Sequence, residues 1–443
     1  MQKGVTAMST QRFLRSLIIA SASLVSLAAL AEQELYTDSE GTTKLVFNVD
    51  VMGAGYSSQN SWLGESASFI GEDTDNWADF GVEPSFSFET PTGEGVFFAQ
   101  LSGVYTSTYG TDASGVGAGL DDTSAFTLEQ GHIGWRAEDF FEGIEGDTFS
   151  LTFGKQDYNI GTGMLINDGG SDGGDRGGWY LGMRKTFSEA LVVSLDTDKW
   201  LAEGFTLKNR PRAGGTQGEA YGTNIEYTFG ETATFGGTYM NVEANIPGSV
   251  DLDVFSGRVD WQIGNGLGLS GEYVDESSSQ IDANGYYAQV SYGLEDNAWS
   301  PIFSYRYAHF DGDNPGTAID ERFREIAYGY TDWGFWYQGE ITGEYVLGNG
   351  NLESHMLRAK LQPKDGVTVN LFYYNFTLDQ PASFGVASDD WGDEFNFTVE
   401  WEANDNLYVT GVIAALFPGD GAQQFVGGSD DWLHAMLYLM YSW

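Results

Sequence analysis

The stretch Phe255-Ser256-Gly257-Arg258-Val259-Asp260-Trp261-Gln262-Ile263-Gly264-Asn265-Gly266 decides the fold. Phe255, Val259, Trp261 and Ile263 alternate with Ser256, Arg258, Asp260 and Gln262. A period of two places the apolar side chains on one face of a strand and the polar ones on the other. Gly264-Asn265-Gly266 then supplies residues that tolerate the backbone of a tight turn. The same alternation recurs elsewhere. Leu45, Phe47, Val49 and Val51 alternate with Lys44, Val46, Asn48 and Asp50, and Phe149, Leu151 and Phe153 with Ser150, Thr152 and Gly154. Leu433, Ala435, Leu437, Leu439, Tyr441 and Trp443 share one face of the last segment. A soluble sandwich would show such faces too. Length separates the two cases: these segments run about 9–12 residues, the span of a tilted transmembrane strand, whereas soluble strands favour about 5–6.

The connections between these segments alternate as well. Short turns are expected at Pro91–Glu94, Ser188–Glu189, Gly230–Thr232, Gly264–Gly266, Pro363–Gly366 and Glu402–Asp405. Long Gly-, Asp- and Ser-rich stretches fall at Gln59–Asn76, Gly110–Ser124 and Asn159–Gly177. Short turns at one rim and long loops at the other are the outer-membrane pattern, with the short turns periplasmic and the long loops extracellular. Counting back from the C-terminus closes an all-β, antiparallel transmembrane barrel at eighteen strands, within a range of sixteen to twenty. Phe310–Gly350 is then one long loop, with a helix expected at Ile319–Ile326; the alternative is an additional strand over Trp336–Val346. Lipid outside the wall explains the arrangement, because in hydrocarbon every backbone N–H and C=O must be paired and a closed barrel achieves this.

Residues 1–31 read as a signal peptide. Lys3, Arg12 and Arg15 precede the apolar run Leu17–Leu30, and Ala29-Leu30-Ala31 offers an A-x-A cleavage site. Residues 32–443 then form one domain, expected in the outer membrane of a Gram-negative bacterium. The terminal Trp443, on a strand of alternating apolar residues, resembles the sorting signal read by the barrel-assembly machinery. Outer-membrane lipid is the other expected partner, and the barrel is expected to be a monomer.

Composition excludes several activities. There is no cysteine, so thiolate metal sites and cysteine nucleophiles are absent. The formal charge of −44 repels nucleic acid. The four histidines, His132, His309, His355 and His434, fit no H-E-x-x-H pattern, and no G-x-S-x-G elbow preceding a helix is expected. No enzymatic activity is expected.

The cations carry the functional signal. Lys44, Arg136, Arg184, Arg258, Arg306, Arg358 and Lys360 alternate onto the polar, inward faces. Guanidinium forks grip carboxylates and sulfates bidentately, so these side chains are candidate solute ligands. Asp50, Glu226, Asp260, Glu272 and Glu400 face inward as well, and ion pairing across the lumen is the competing role. The tyrosines Tyr180, Tyr287, Tyr374 and Tyr408 could stack on sugar rings or simply pack. Asp172 and Asp175, in the loop Gly169–Gly178, offer oxygen ligands of the kind Ca²⁺ takes, although the spacing is not that of an EF-hand. No other cofactor is expected.

Several patches resemble the alginate-export family of outer-membrane porins. They are Phe153-Gly154-Lys155-Gln156-Asp157-Tyr158, the Gly-Asp loop, and Trp179-Tyr180-Leu181-Gly182-Met183-Arg184. Further on come Asp320-Glu321, Tyr328-Gly329, Trp333-Gly334-Phe335-Trp336, Leu416-Phe417-Pro418-Gly419-Asp420 and Leu433–Trp443. The resemblance implies a monomeric eighteen-stranded barrel whose basic lumen passes an anionic polysaccharide. This chain departs from that pattern, since carboxylates match its inward cations and its loops are acidic. The expectation is therefore a passive channel for small or oligomeric anionic solutes of the uronate type. The alternative is a receptor or adhesin, whose barrel only anchors acidic loops that bind a partner.

Overall fold

The computed structural model describes residues 33–62, 73–110, 122–141, 144, 148–170, 172–209, 218–230, 232–244, 250–294, 297–329 and 338–443. The expected signal peptide and the Trp333–Trp336 patch lie outside them.

A short strand β1 (Gln33–Thr37) precedes the wall. The wall itself runs through β2 (Lys44–Ser61), β3 (Asp73–Thr92), β4 (Gly95–Gly110), β5 (Ser124–Glu138), β6 (Thr148–Gln156) and β7 (Phe187–Asp196). It continues through β8 (Trp200–Lys208), β9 (Gly218–Phe229), β10 (Ala233–Ala244), β11 (Leu252–Gly264), β12 (Leu267–Ser277) and β13 (Asp282–Gly293). Then come β14 (Ile302–Phe310), β15 (Leu352–Lys364), β16 (Val367–Thr377), β17 (Asp390–Asn404), β18 (Leu407–Pro418) and β19 (Trp432–Ser442). Each strand pairs antiparallel with the next. β19 closes on β2, with Leu433 opposite Gln59 and Ser442 opposite Asp50. This is a closed eighteen-stranded antiparallel barrel, as the alternation predicts. β1 pairs with β2 from Lys44 to Phe47, just past the point where β19 ends.

The faces follow the alternation. Phe126, Leu128, Ile133, Phe153, Phe255, Leu357, Phe395 and Ile413 all stand exposed on the outside. A water-soluble chain does not leave so much apolar surface open. Against lipid the same surface lies in its own solvent. Trp200, Phe229, Trp261, Trp299 and Trp401 cluster toward the short-turn rim, and Tyr109, Tyr221, Tyr239 and Tyr273 toward the other. Two aromatic girdles of this kind mark the membrane interfaces.

The Gly264–Gly266 turn is present. Gly264, Asn265 and Gly266 have φ of 108°, 51° and 80°, which a bulky side chain there would resist. Two expectations need correction. Ser188–Glu189 is not a turn but the start of β7, where Ser188 Oγ donates to Lys208 O and Asn209 O. The turn comes later at Thr197, whose Oγ1 accepts from Lys199 N and Trp200 N. The helix expected at Ile319–Ile326 is an irregular extended segment, and a π-helical turn forms instead at Gly339–Leu347. That turn occupies the described part of Trp336–Val346, so no additional strand forms there.

Candidate functional site

The lumen carries a lane of polar contacts that runs from strand to strand. On β11, Arg258 donates from Nη2 to Glu226 Oε1 on β9 at 2.6 Å and from Nη1 to Thr238 Oγ1 on β10 at 2.9 Å. Opposite Arg258 in the ladder stands Glu272 of β12, and opposite that stands Tyr287 of β13. Arg306 of β14 follows, then Arg358 of β15. Arg358 forks onto Asn370 Oδ1 at 3.1 and 2.8 Å, with its guanidinium carbon 5.2 Å from the centre of the Phe372 ring. Asn370 passes the chain on to Glu400 at 2.8 Å, and Tyr408 donates to the same carboxylate at 3.0 Å. Ten consecutive strands, β9 to β18, thus share one band of polar and charged side chains.

The described residues of two connections fold into this lumen. The 157–186 segment leaves the wall between β6 and β7, and the 311–351 segment between β14 and β15. Eight strands separate the two openings in a ring of eighteen, so the segments approach from nearly opposite walls. They meet in a parallel bridge between Ile166 and Ala327. Four backbone hydrogen bonds hold it: Asn167 N and Asp168 N to Ala327 O at 2.7 and 2.9 Å, Ala327 N to Leu165 O at 3.1 Å, and Gly329 N to Gly163 O at 3.0 Å. The rings of Tyr180 and Tyr345 touch across the same junction with centroids 5.2 Å apart. Met164, Leu165 and Ile166 are fully buried there, which their apolar side chains require once they enter the barrel.

Each segment is anchored to the wall by charge. Arg184 Nη1 meets Asp172 Oδ1 at 2.8 Å, while its Nε donates to Thr127 Oγ1 at 3.1 Å and its Nη2 to Ala125 O at 3.0 Å on β5. Thr186 donates from N and Oγ1 to Glu129 Oε1 at 3.0 and 2.8 Å. On the other side, Glu394 of β17 accepts from Ile341 N at 2.9 Å and Thr342 N at 2.8 Å. It thereby caps the π-helical turn, whose first amides have no partner inside the turn itself. Burial pushes the Asp168 carboxyl up to about 7; the Gly170 amide opposes the rise and the nearby Asp172 adds to it. Burial also raises the Glu325 carboxyl, against the Asn349 amide that donates to it.

The expected solute-binding cations divide into two groups. Arg136, Arg258, Arg358 and Lys360 line the wall and keep part of their surface open. Arg136 is more open than Arg258, and it pairs with Glu89 at 3.0 Å. Lys44 stands exposed at the short-turn end of β2. Arg184 is not on a strand at all: it sits in the 157–186 segment, completely buried. Arg306 faces inward as expected but is also completely buried, beside Tyr374 and Tyr287. A guanidinium with no open surface cannot meet a passing solute in this conformation.

The tyrosines divide in the same way. Tyr180 and Tyr374 join the packed interior, and Tyr408 belongs to the polar lane. Asp172 gives both carboxylate oxygens to Arg184, and Asp175 lies exposed in a separate 3-10 turn. The two do not gather into a cation site among the described residues. Sequence reasoning missed Glu394 and the Ile166–Ala327 junction, because each depends on contacts between segments more than fifty residues apart.

Comparison with solved structures places this architecture among the outer-membrane porins. OccK8 (OprE) of Pseudomonas aeruginosa superposes with a TM-score of 0.56 at 12% identity, over 90% of this chain and 98% of that one. OccK5 (OpdH) of the same organism gives 0.55 at 10% identity, over 89% and 97%. OpdK of Pseudomonas aeruginosa, solved with vanillate, gives 0.56 at 10% identity, over 90% and 99%. At such identities the likeness is one of fold. No protein-family model matches the sequence, and no curated protein matches it.

Proposed function

We propose that this chain is an outer-membrane channel of a Gram-negative bacterium that passes small anionic solutes by passive diffusion. Carboxylated sugars of the uronate type are the class it suits. The observation that carries the proposal is the polar band from β9 to β18, inside a wall that is apolar outside. Arg258 and Arg358 lie in that band with part of their surface open, and Arg136 and Lys360 line the same wall. A guanidinium carries five donors in a planar fork that matches a carboxylate. Several weak sites in series let an anion enter and still leave. OpdK, which shares the fold, was solved with vanillate, a small aromatic carboxylate. The resemblance to the alginate-export family points to the same solute class. Outer-membrane insertion through the strand ending in Trp443 belongs to the same reading.

The test is the reversal potential of refolded protein in planar bilayers under a salt gradient. Arg258→Gln, Arg358→Gln and Lys360→Gln together should shift the potential toward cation preference. An unchanged potential would remove these residues from the mechanism.

A further inference from the structure

We propose that His309, Asp311 and Asp379 form a binding site for a divalent transition-metal ion, Zn²⁺ foremost, on the outer surface of the barrel at its extracellular rim. His309 is the penultimate residue of β14 and shares a face with the exposed Phe303 and Tyr305. Its ring stacks on Tyr286 with centroids 5.3 Å apart. Asp311 is the first residue of the inward 311–351 segment, and Asp379 lies in the connection between β16 and β17. One ligand atom from each of the three lies within 4.8 Å of the others.

The geometry is close to what a metal requires. Zn²⁺ binds imidazole nitrogen and carboxylate oxygen at about 2.0–2.2 Å, which sets neighbouring ligand atoms about 3.3 Å apart in a tetrahedron. His309 Nε2 and Asp311 Oδ1 are 2.8 Å apart, so an ion entering between them moves each by a fraction of an ångström.

The surroundings hold each ligand and leave an atom over. Asp311 Oδ2 accepts from Asn284 N at 2.6 Å and Asn284 Nδ2 at 3.3 Å, so its Oδ1 is directed at the imidazole. Asp379 Oδ2 accepts from Gly312 N at 2.9 Å and Gln380 Nε2 at 3.3 Å. His309 Nδ1 lies 3.3 Å from Glu353 Oε1 on β15 without hydrogen-bonding to it, so the carboxylate acts on the ring through its charge alone. Charge argues the same way. One imidazole needs a single carboxylate partner, and here three converge on it; a divalent cation neutralises the surplus. One nitrogen and two oxygens suit Zn²⁺ or a neighbouring transition ion better than Ca²⁺, which prefers an all-oxygen shell. Bound there, the ion ties β14 to the root of the inward 311–351 segment and to the β16–β17 connection.

Cobalt is the probe, since Co²⁺ takes Zn²⁺ sites and reports its ligands by visible absorption. Refolded full-length barrel in detergent is titrated with Co²⁺ in excess Mg²⁺, which occupies the acidic loops. The expected result is one saturable equivalent with nitrogen–oxygen bands, displaced by Zn²⁺ and weakened at least tenfold in both His309→Gln and Asp379→Asn. Folding of each variant is checked by heat-modifiable migration. Asn at position 379 keeps an acceptor for Gly312 N, so this variant decides the matter if His309→Gln fails to refold. Absence of a saturable equivalent, or equal affinity in Asp379→Asn and the parent, overturns the proposal.

Discussion

Arg184 and Asp172 form a closed ion pair, 2.8 Å apart, with side chains 0% and 6% exposed. Both belong to the inward 157–186 segment, so the pair fastens the segment to itself while Arg184 reaches the wall at Thr127 and Ala125. Removing one partner leaves the other charge buried and alone, at a cost of about 3–5 kcal/mol. Asp172→Asn should therefore release the segment and leave the barrel folded. Current recordings should become noisier, and limited proteolysis should cut between β6 and β7. A variant as quiet and as resistant as the parent would mean that the pair does not hold the segment.

Glu394 performs the matching task on the opposite side. Its carboxylate accepts two consecutive amides, Ile341 N and Thr342 N, and hydrogen bonds to a charged group contribute about 1.5–3 kcal/mol each. Gly339 and Gly343 are poor helix formers, so the turn leans on its wall contacts, these two and Glu340 N to Asn396 Oδ1 at 2.9 Å foremost. Glu394→Gln should raise amide exchange across residues 339–347 at least tenfold, with exchange in β17 unchanged. Exchange that rises equally in strand and turn would point to general destabilisation instead.

The junction of the two segments should loosen as pH rises. Asp168 has its folded pKa pushed up to about 7, from an unfolded value near 3.8. The closed form therefore holds a proton that the open form has released between those two values. Its stability falls through that window and is level above it. Opening should be more frequent at pH 7.5 than at pH 5, read from exchange of the Asn167 and Asp168 amides. Asp168→Asn should flatten the dependence. A closed form that tightens with pH would contradict the assignment.

Some of this was legible in the sequence. A wall of long alternating strands announces itself locally, as Phe255–Ile263 does, because lipid on one side and water on the other act on every residue of the strand. The Gly264–Gly266 turn was legible for the same reason. Ile319–Ile326 misled, since Ile319, Phe323 and Ile326 recur at helical spacing. In the structure Phe323 instead packs on Phe310, with ring centroids 5.3 Å apart, and tertiary contact overrides the local period. Arg184 misled in a similar way. Its alternation with Leu181 and Met183 imitates a strand, but the partners that bury it, Asp172 and Thr127, come from elsewhere in the chain. The junction at Ile166 and Ala327 leaves no local signal, because neither residue encodes the other.

The central proposal is that this barrel conducts; because the two segments joined at Ile166 and Ala327 stand in its lumen, they are expected to set the conductance. The chain has no cysteine, so Ile166→Cys combined with Ala327→Cys introduces a single cross-link. Single-channel recording of that variant in planar bilayers, before and after reduction, tests the claim most directly. The account predicts discrete steps at one fixed level when oxidised, and steps that fluctuate to higher levels when reduced. No steps in either state, or steps indifferent to the cross-link, would contradict it.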